Sequence, residues 1–349
     1  MGRWVTIASF VGLVGCGRIN FEPPPGPEWG FEIPLTVRGT IEQQDDVPIL
    51  VVLDSTRIDY SLAAPDGRDL RFVRGGAVLP HEIELWNPAG QSFIWVRVPR
   101  LVPGDTIALD FGNPDADDGQ ARAQLWLGYG GVWHMNQAPG AGQLLFDSTG
   151  NANGGDFRGD VPPTLVPGQI GNAIAFDGVD DFIEIPDSDS LDVTTFTIEG
   201  WVDYAAAGGY GTVISKDGVS SDTDGAYNVF LLTDSSIEYE TNNKNVPLGD
   251  VRGCCITEGA LHSFAFTMLA DGTATVYVDG AFAATTPQVV PTNNGKHLLF
   301  GRRGIADSSL RARLDEVRIA PNPRPASWFA VQYASMTDQL FDYGPAHAR

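Results

Sequence analysis

The sequence predicts an all-β protein of two successive units, and three observations carry that expectation. Its 349 residues leave room for two domains, at roughly 100–200 residues each. Glycine and proline are plentiful, at 41 and 24 residues, with no collagen period, which suits many turns between many short strands. Hydrophobic residues at 43% and aromatics at 10% suffice for packed cores, so a wholly disordered chain is excluded. Charge excludes a class of partner as well. Against 44 acidic residues stand 22 basic ones, a net charge of −22. Such a surface repels phosphate backbones, so no nucleic-acid partner is expected.

The first residues carry an address. Met1-Gly2-Arg3 gives a short basic start, and Trp4 to Gly15 adds 12 mostly apolar residues. That run is too short for a spanning helix of roughly 20 residues and fits a secretory signal. Leu13-Val14-Gly15-Cys16 resembles a bacterial lipobox. The resemblance implies that residues 1–15 are a lipoprotein signal peptide, cut before Cys16, whose thiol carries the lipid. The protein is then exported and touches the membrane only through that anchor. Gly17 follows the cysteine where an Asp would mark inner-membrane retention. The outer membrane is therefore favoured, with the chain at the cell surface or in the periplasm. The alternative is a cleaved signal with an incidental cysteine. Residues 16–28, with Pro23-Pro24-Pro25-Gly26-Pro27, read as a stiff Pro-rich linker.

Residues 29–120 form the first unit. Ile49-Leu50-Val51-Val52-Leu53 is a buried-strand run, Phe93-Ile94-Trp95-Val96-Arg97-Val98 alternates with period two, and Thr106 to Phe111 is a further strand. Pro99 and Pro103-Gly104-Asp105 are expected to close the middle strand. No stretch here keeps a helical period over three turns. Asp66-Gly67-Arg68-Asp69-Leu70-Arg71-Phe72, His81-Glu82-Ile83-Glu84-Leu85-Trp86, Trp95-Val96-Arg97-Val98-Pro99 and Phe111-Gly112-Asn113 resemble the bacterial domain of unknown function 2341. That resemblance implies a small β-sandwich of exported proteins, often placed before a lectin-like domain.

Residues 121–349 form the second unit. Phe196-Thr197-Ile198-Glu199-Gly200-Trp201-Val202 and Ser263 to Met268 alternate as strands. Asp271-Gly272 and Asp279-Gly280 tolerate the positive φ of tight hairpins, so they turn the chain through Thr273–Val278 into Ala281–Thr285 as a meander. Asp147-Ser148-Thr149-Gly150-Asn151, Phe176-Asp177-Gly178-Val179-Asp180-Asp181-Phe182-Ile183, Val276-Tyr277-Val278-Asp279-Gly280 and Leu314-Asp315-Glu316-Val317-Arg318-Ile319 resemble the laminin-G-like, concanavalin A-like jelly roll of lectins and glucanases. Arg324 to Tyr333 is similar to the closing segment of bacterial members, and Pro325 suits the first turn of a short helix there.

The chemistry is mostly one of absences. His81-Glu82-Ile83-Glu84-Leu85 begins like a zinc-protease motif, but Leu85 stands where its second histidine would be. Hydrolases of the fold aim clustered carboxylates from one strand into one cleft. Glu82 and Glu84 share a strand face but lie in the other unit, and Asp315 and Glu316, as neighbours, should point to opposite faces. No catalytic residue is therefore expected. Asp180, Asp181, Glu184, Asp187, Asp189 and Asp192 crowd one loop, and Asp217, Asp222 and Asp224 another. These are either solvated surface or part of a calcium site assembled from separate loops. The resemblance implies a structural calcium held by Asp147, Asn151, Asn153 and Asp315. Cys254 and Cys255 have no other partner if Cys16 is lipidated; a vicinal disulfide is favoured over two free thiols. Phe196, Trp201, Phe264 and Phe266 read as core. Tyr204, Tyr210, Tyr227 and Tyr239 are candidates for stacking on a sugar, and Arg302, Arg303, Arg311 and Arg313 for holding an acidic group. The expected function is non-catalytic binding of a glycan or an extracellular protein at the cell surface. A structural or adhesive module and a polysaccharide-acting enzyme are the alternatives.

Overall fold

The structure is a computed structural model that describes residues 29–39, 41–140, 142–205, 210–216, 227–241, 250–304 and 308–349. The signal peptide, Cys16, the linker, Asp217, Asp222 and Asp224 lie outside the described residues. Among those described, strands dominate, joined by two α-helices, Arg122–Leu125 and Ala326–Met336. The first unit sets one sheet, with Phe31–Val37 beside Thr106–Phe111, Arg71–Arg74 and Ala77–Leu79, over a second made of Gln44–Leu53, Ser92–Leu101 and His81–Leu85. The second unit is a larger sandwich. Its seam sheet runs in the order Thr164–Pro167, Asn172–Asp177, Arg311–Ala320, Phe196–Val202, His262–Met268, Thr273–Val278, Ala281–Pro287. Its far sheet runs Val251–Gly253, Ile237–Thr241, Tyr227–Leu231, Gly211–Ser215, Leu298–Phe300, Phe182–Ile185, Gly155–Arg158, Leu144–Leu145. Ile198, Val229, Ile183, Val317 and Phe300 are fully buried between these two sheets. Burying each such side chain stabilises by roughly 1.5–3 kcal/mol.

The hairpins form as their sequences dictate. Asp279 and Gly280 take φ of 49° and 72°, the two positive values of a tight turn, between antiparallel strands. Pro99 does not close its strand, which continues to Leu101. Opposite it, Asp46 leaves the ladder with φ of 57°, so the missing N–H deprives no partner.

The limits of the two units differ from the expected boundary at 120/121. Ala121 N donates to His81 O (2.8 Å), and Arg97 Nη1 donates to the carbonyls of Leu125 (3.1 Å) and Leu127 (2.7 Å). At the other end, Phe341–Tyr343 and His347–Ala348 both pair with Phe31–Val37. The chain thus leaves the first unit, builds the second and returns to complete the first one's sheet. Helix Ala326–Met336 makes the join on the way back. Tyr333 stacks on Trp201 at 5.8 Å and Phe329 lies 4.3 Å from Tyr277, while Gln332 Nε2 donates to Pro48 O (2.6 Å) and Ser335 Oγ bonds Leu50. One apolar core therefore runs through the first unit, the helix and the outer face of the seam sheet.

Candidate functional site

Two faces of the second unit have opposite fates. The outer face of the seam sheet is sealed against the first unit, and a charged network lies there. A bulge creates it. Trp201 opposes Asp315 and Glu199 opposes Arg318, so Glu316 and Val317 together face Gly200, with Glu316 at φ of 50°. Leu314, Val317 and Ile319 enter the sandwich core, whereas Asp315, Glu316 and Arg318 all turn to the seam. This corrects the expectation that Asp315 and Glu316 diverge, which holds only for a regular strand. It also brings Glu84 against Glu316, with Glu82 on the other side of His134, although both had been set aside as belonging to the other unit.

His134 joins them. Its Nδ1 lies 2.7 Å from Glu316 Oε1 and 3.4 Å from Glu84 Oε2, and its Nε2 lies 3.4 Å from Glu82 Oε2. Glu82 also accepts from Trp126 Nε1 (2.6 Å) and Ser148 Oγ (2.8 Å), and Arg122 Nε lies 3.0 Å from it. Glu84 accepts from Trp95 Nε1 (2.7 Å) and from Asn136. Arg318 pairs with Glu316 and Gln332, its guanidinium 4.1 Å from the Trp95 ring. Burial would push the His134 imidazolium down, but Glu316, Glu84 and Glu82 outweigh it and hold its pKa well above the ordinary value. Burial and the Glu316 charge together push Glu84 and Asp315 well up. Glu316 is buried too, yet His134 and Arg318 hold it down to about 2. The side chains of Glu82, Glu84, His134 and Glu316 are at most 6% exposed, so no polysaccharide reaches these carboxylates. His134 was missed in the sequence; its signal was a lone histidine between Trp133 and Met135.

The outer face of the far sheet carries a different set. Tyr227, Val229 and Leu231 fill the core, so Asn228 and Phe230 lie on the opposite face. Register then lays out two rows: Glu240, Asn228, Ser215, Leu299 and Glu184 in one, and Arg252, Glu238, Phe230 and Thr212 in the next. Tyr210 stacks on Phe230 at 5.2 Å, and Arg303 lies 5.8 Å from the same ring. Asn228 is fully buried, and among the described residues neither its amide oxygen nor its amide nitrogen has a hydrogen-bond partner. The same holds for the Thr212 hydroxyl and for Ser308, whose carbonyl accepts from Thr212 N (2.8 Å). Burial, then Asp250, raise Glu238 to about 7. The sequence did contain a signal, a single amide inside an otherwise apolar run.

The remaining expected residues divide plainly. Asp147 accepts four donors, from Val132 N (3.0 Å), Thr149 N (2.9 Å), Thr149 Oγ1 (2.7 Å) and Asn153 N (2.8 Å). Asn151 and Asn153 donate to Gly130 O beside it. Asp315 does not join this loop: its Oδ2 accepts from Gln169 N (2.8 Å) and Ile170 N (3.1 Å) at the seam. The calcium set read from the sequence is thus not assembled as one group, because the bulge aims Asp315 elsewhere. In the acidic loop, Lys216 Nζ sits 2.7 Å from both Asp187 and Asp192, an ammonium where a cation would lie. Cys254 and Cys255 are exposed and joined by a disulfide across a cis peptide bond. Tyr227 and Tyr239 are core, and Tyr204 bonds Thr233 O, which leaves Tyr210 on the far face. Phe196, Phe264 and Phe266 lie in the sandwich core, but Trp201 is buried on the other side, under the helix. Arg313 pairs with Asp203 at 2.7 Å, while Arg303 lies 3.7 Å from Glu240.

Residues 177–328 match the model of the concanavalin A-like lectin/glucanases superfamily, and residues 66–131 match domain of unknown function 2341. The second unit is a concanavalin A-like domain. No curated protein sequence matches the chain. Solved structures similar to it include the binding domain of botulinum neurotoxin serotype G (14% identity, TM-score 0.46, 59% of this chain and 50% of that one). Another is the binding domain of Paraclostridial Mosquitocidal Protein 1 (13%, TM-score 0.47, 60% and 52%). A third is domain 4 of AbnA, a GH43 extracellular arabinanase from Geobacillus stearothermophilus, in complex with arabinotriose (19%, TM-score 0.46, 58% and 98%). The chain spans about half the length of the two toxin structures. The concanavalin A-like domain thus has its seam-sheet face covered by the first unit and the closing helix, while the outer face of the far sheet carries Tyr210, 40% exposed.

Proposed function

We propose that this is an exported lipoprotein, anchored through Cys16, whose concanavalin A-like domain binds a carbohydrate on the outer face of its far sheet. One observation carries the reading: Tyr210, 40% exposed and stacked on Phe230 at 5.2 Å, offers an aromatic ring to solvent at the far sheet. The apolar face of a sugar packs on such an exposed ring while its hydroxyls stay free to bond polar groups at the rim. Match to a lectin and glucanase superfamily supports the same ligand class. A glycan array followed by calorimetry tests it. Tyr210→Ala should weaken binding at least tenfold with little change in melting temperature, since that ring is 40% exposed. Absence of glycan binding, or binding indifferent to Tyr210, overturns the reading.

A second reading has its own observation. Glu238 and Glu240 alternate onto the same face, each offering a carboxylate oxygen within 4.8 Å of one from the other and from Asp250, and Glu238 is raised to about 7. A raised acid beside a second carboxylate is the pairing of glycoside hydrolysis. Chromatography of polysaccharides incubated with the protein, against Glu240→Gln, separates cleavage from binding. The anchor is tested by acyl mass on the mature N-terminus, which Cys16→Ala should abolish.

A further inference from the structure

We propose that Glu84 Oε2, His134 Nδ1 and Glu316 Oε1 form a buried site for a divalent transition-metal ion of the zinc class, one that joins the two units. The three atoms lie within 4.8 Å of one another, with His134 Nδ1 at 2.7 Å from Glu316 and 3.4 Å from Glu84. Bonds of about 2.0–2.1 Å in a tetrahedral zinc site place ligand atoms roughly 3.3 Å apart. The triad needs only small side-chain adjustments to reach that spacing.

The surroundings match what a metal-bound imidazole requires. The other ring nitrogen, Nε2, faces Glu82 Oε2 at 3.4 Å, and Glu82 is itself pinned by Trp126, Ser148 and Arg122. A carboxylate behind a ligating histidine fixes its tautomer and raises its basicity. Glu84 is oriented by Trp95 and Asn136, and Glu316 by Arg318.

Asp315 supplies an independent sign. It is fully buried, and among the described residues its Oδ1 has no hydrogen-bond donor although its Oδ2 has two. It precedes Glu316 on the strand and turns to the same seam. That oxygen stands outside the three grouped ligand atoms, and in this proposal it accepts from a metal-bound water. Calcium is disfavoured, because it takes six to eight oxygens and no nitrogen here is dispensable.

The test uses the full chain in detergent, refolded from denaturant with either chelator or equimolar zinc chloride, then desalted. The proposal expects about one zinc per chain by elemental analysis and a higher melting temperature than the chelated sample. Cobalt(II) in place of zinc should give visible absorption bands of a low-coordinate nitrogen and oxygen site. His134→Gln and Glu84→Gln should each lower zinc content at least tenfold. Should either variant fail to fold, the wild-type comparison decides alone. Wild type that retains less than a tenth of an equivalent of zinc and melts identically with and without chelator overturns the site. Zinc retained equally by folded His134→Gln overturns it too.

Discussion

Truncating Phe341 to alanine tests whether the returning C-terminal strand holds the first unit together. Phe341 is 2% exposed, opposes Val37 in the register and belongs to the core shared by both units. Removing a buried phenylalanine ring costs about 3–5 kcal/mol, as lost transfer energy plus a cavity. Net domain stability is only about 5–15 kcal/mol, so the change is a large fraction of it. The neighbouring bonds should survive at first: Tyr343 OH accepts from Val52 N (3.0 Å), its ring lies 3.8 Å from the Arg57 guanidinium, and Arg57 pairs with Asp338 at 2.6 Å. Urea denaturation followed by tryptophan fluorescence reads the effect, because Trp95, Trp126, Trp201 and Trp328 all lie in that core. Phe282→Ala is the control, since that ring is 60% exposed and surface changes stay within about 0.5 kcal/mol. A loss below about 1 kcal/mol in Phe341→Ala refutes the reasoning.

Glu238, raised to about 7 by burial and Asp250, favours the fold fully below pH 4.5 and loses that contribution as pH rises through 7. The loss is on the order of 3 kcal/mol at about 1.4 kcal/mol per pH unit; Glu238→Gln should flatten melting temperature against pH between 4.5 and 8, and an unchanged slope contradicts this. Asp147→Asn should destabilise by several kcal/mol, since its carboxylate accepts four donors. The loss should be equal in millimolar calcium and in chelator, and a calcium-dependent rescue would point to a cation at this loop. Thiol counting on denatured, unreduced protein should find none free if Cys16 is lipidated and one if it is not. Two or three free thiols contradict the bond between Cys254 and Cys255.

Local features were legible because they depend on neighbours in the chain. Alternation marked Phe196–Val202 and Ser263 to Met268, Asp279-Gly280 marked the turn after Thr273–Val278, and Pro325 marked the start of the closing helix. The motifs of both modules are short and continuous, and so they could be matched before any packing was known. Long-range placement was not legible. Period-two reasoning separates Asp315 from Glu316, but one extra residue opposite Gly200 changes the phase of the strand and sends both to the seam. Glu82 and Glu84 read as residues of another domain because 182 positions separate His134 from Glu316 and 52 separate it from Glu82. Only the return of the chain along helix Ala326–Met336 and strand Phe341–Tyr343 presses the two units together and buries those charges. The unpartnered state of Asn228 likewise exists only once both its strand neighbours are paired and its face is covered. Pattern reports which face a side chain takes within its own strand; what meets that face is set by closure of the whole chain.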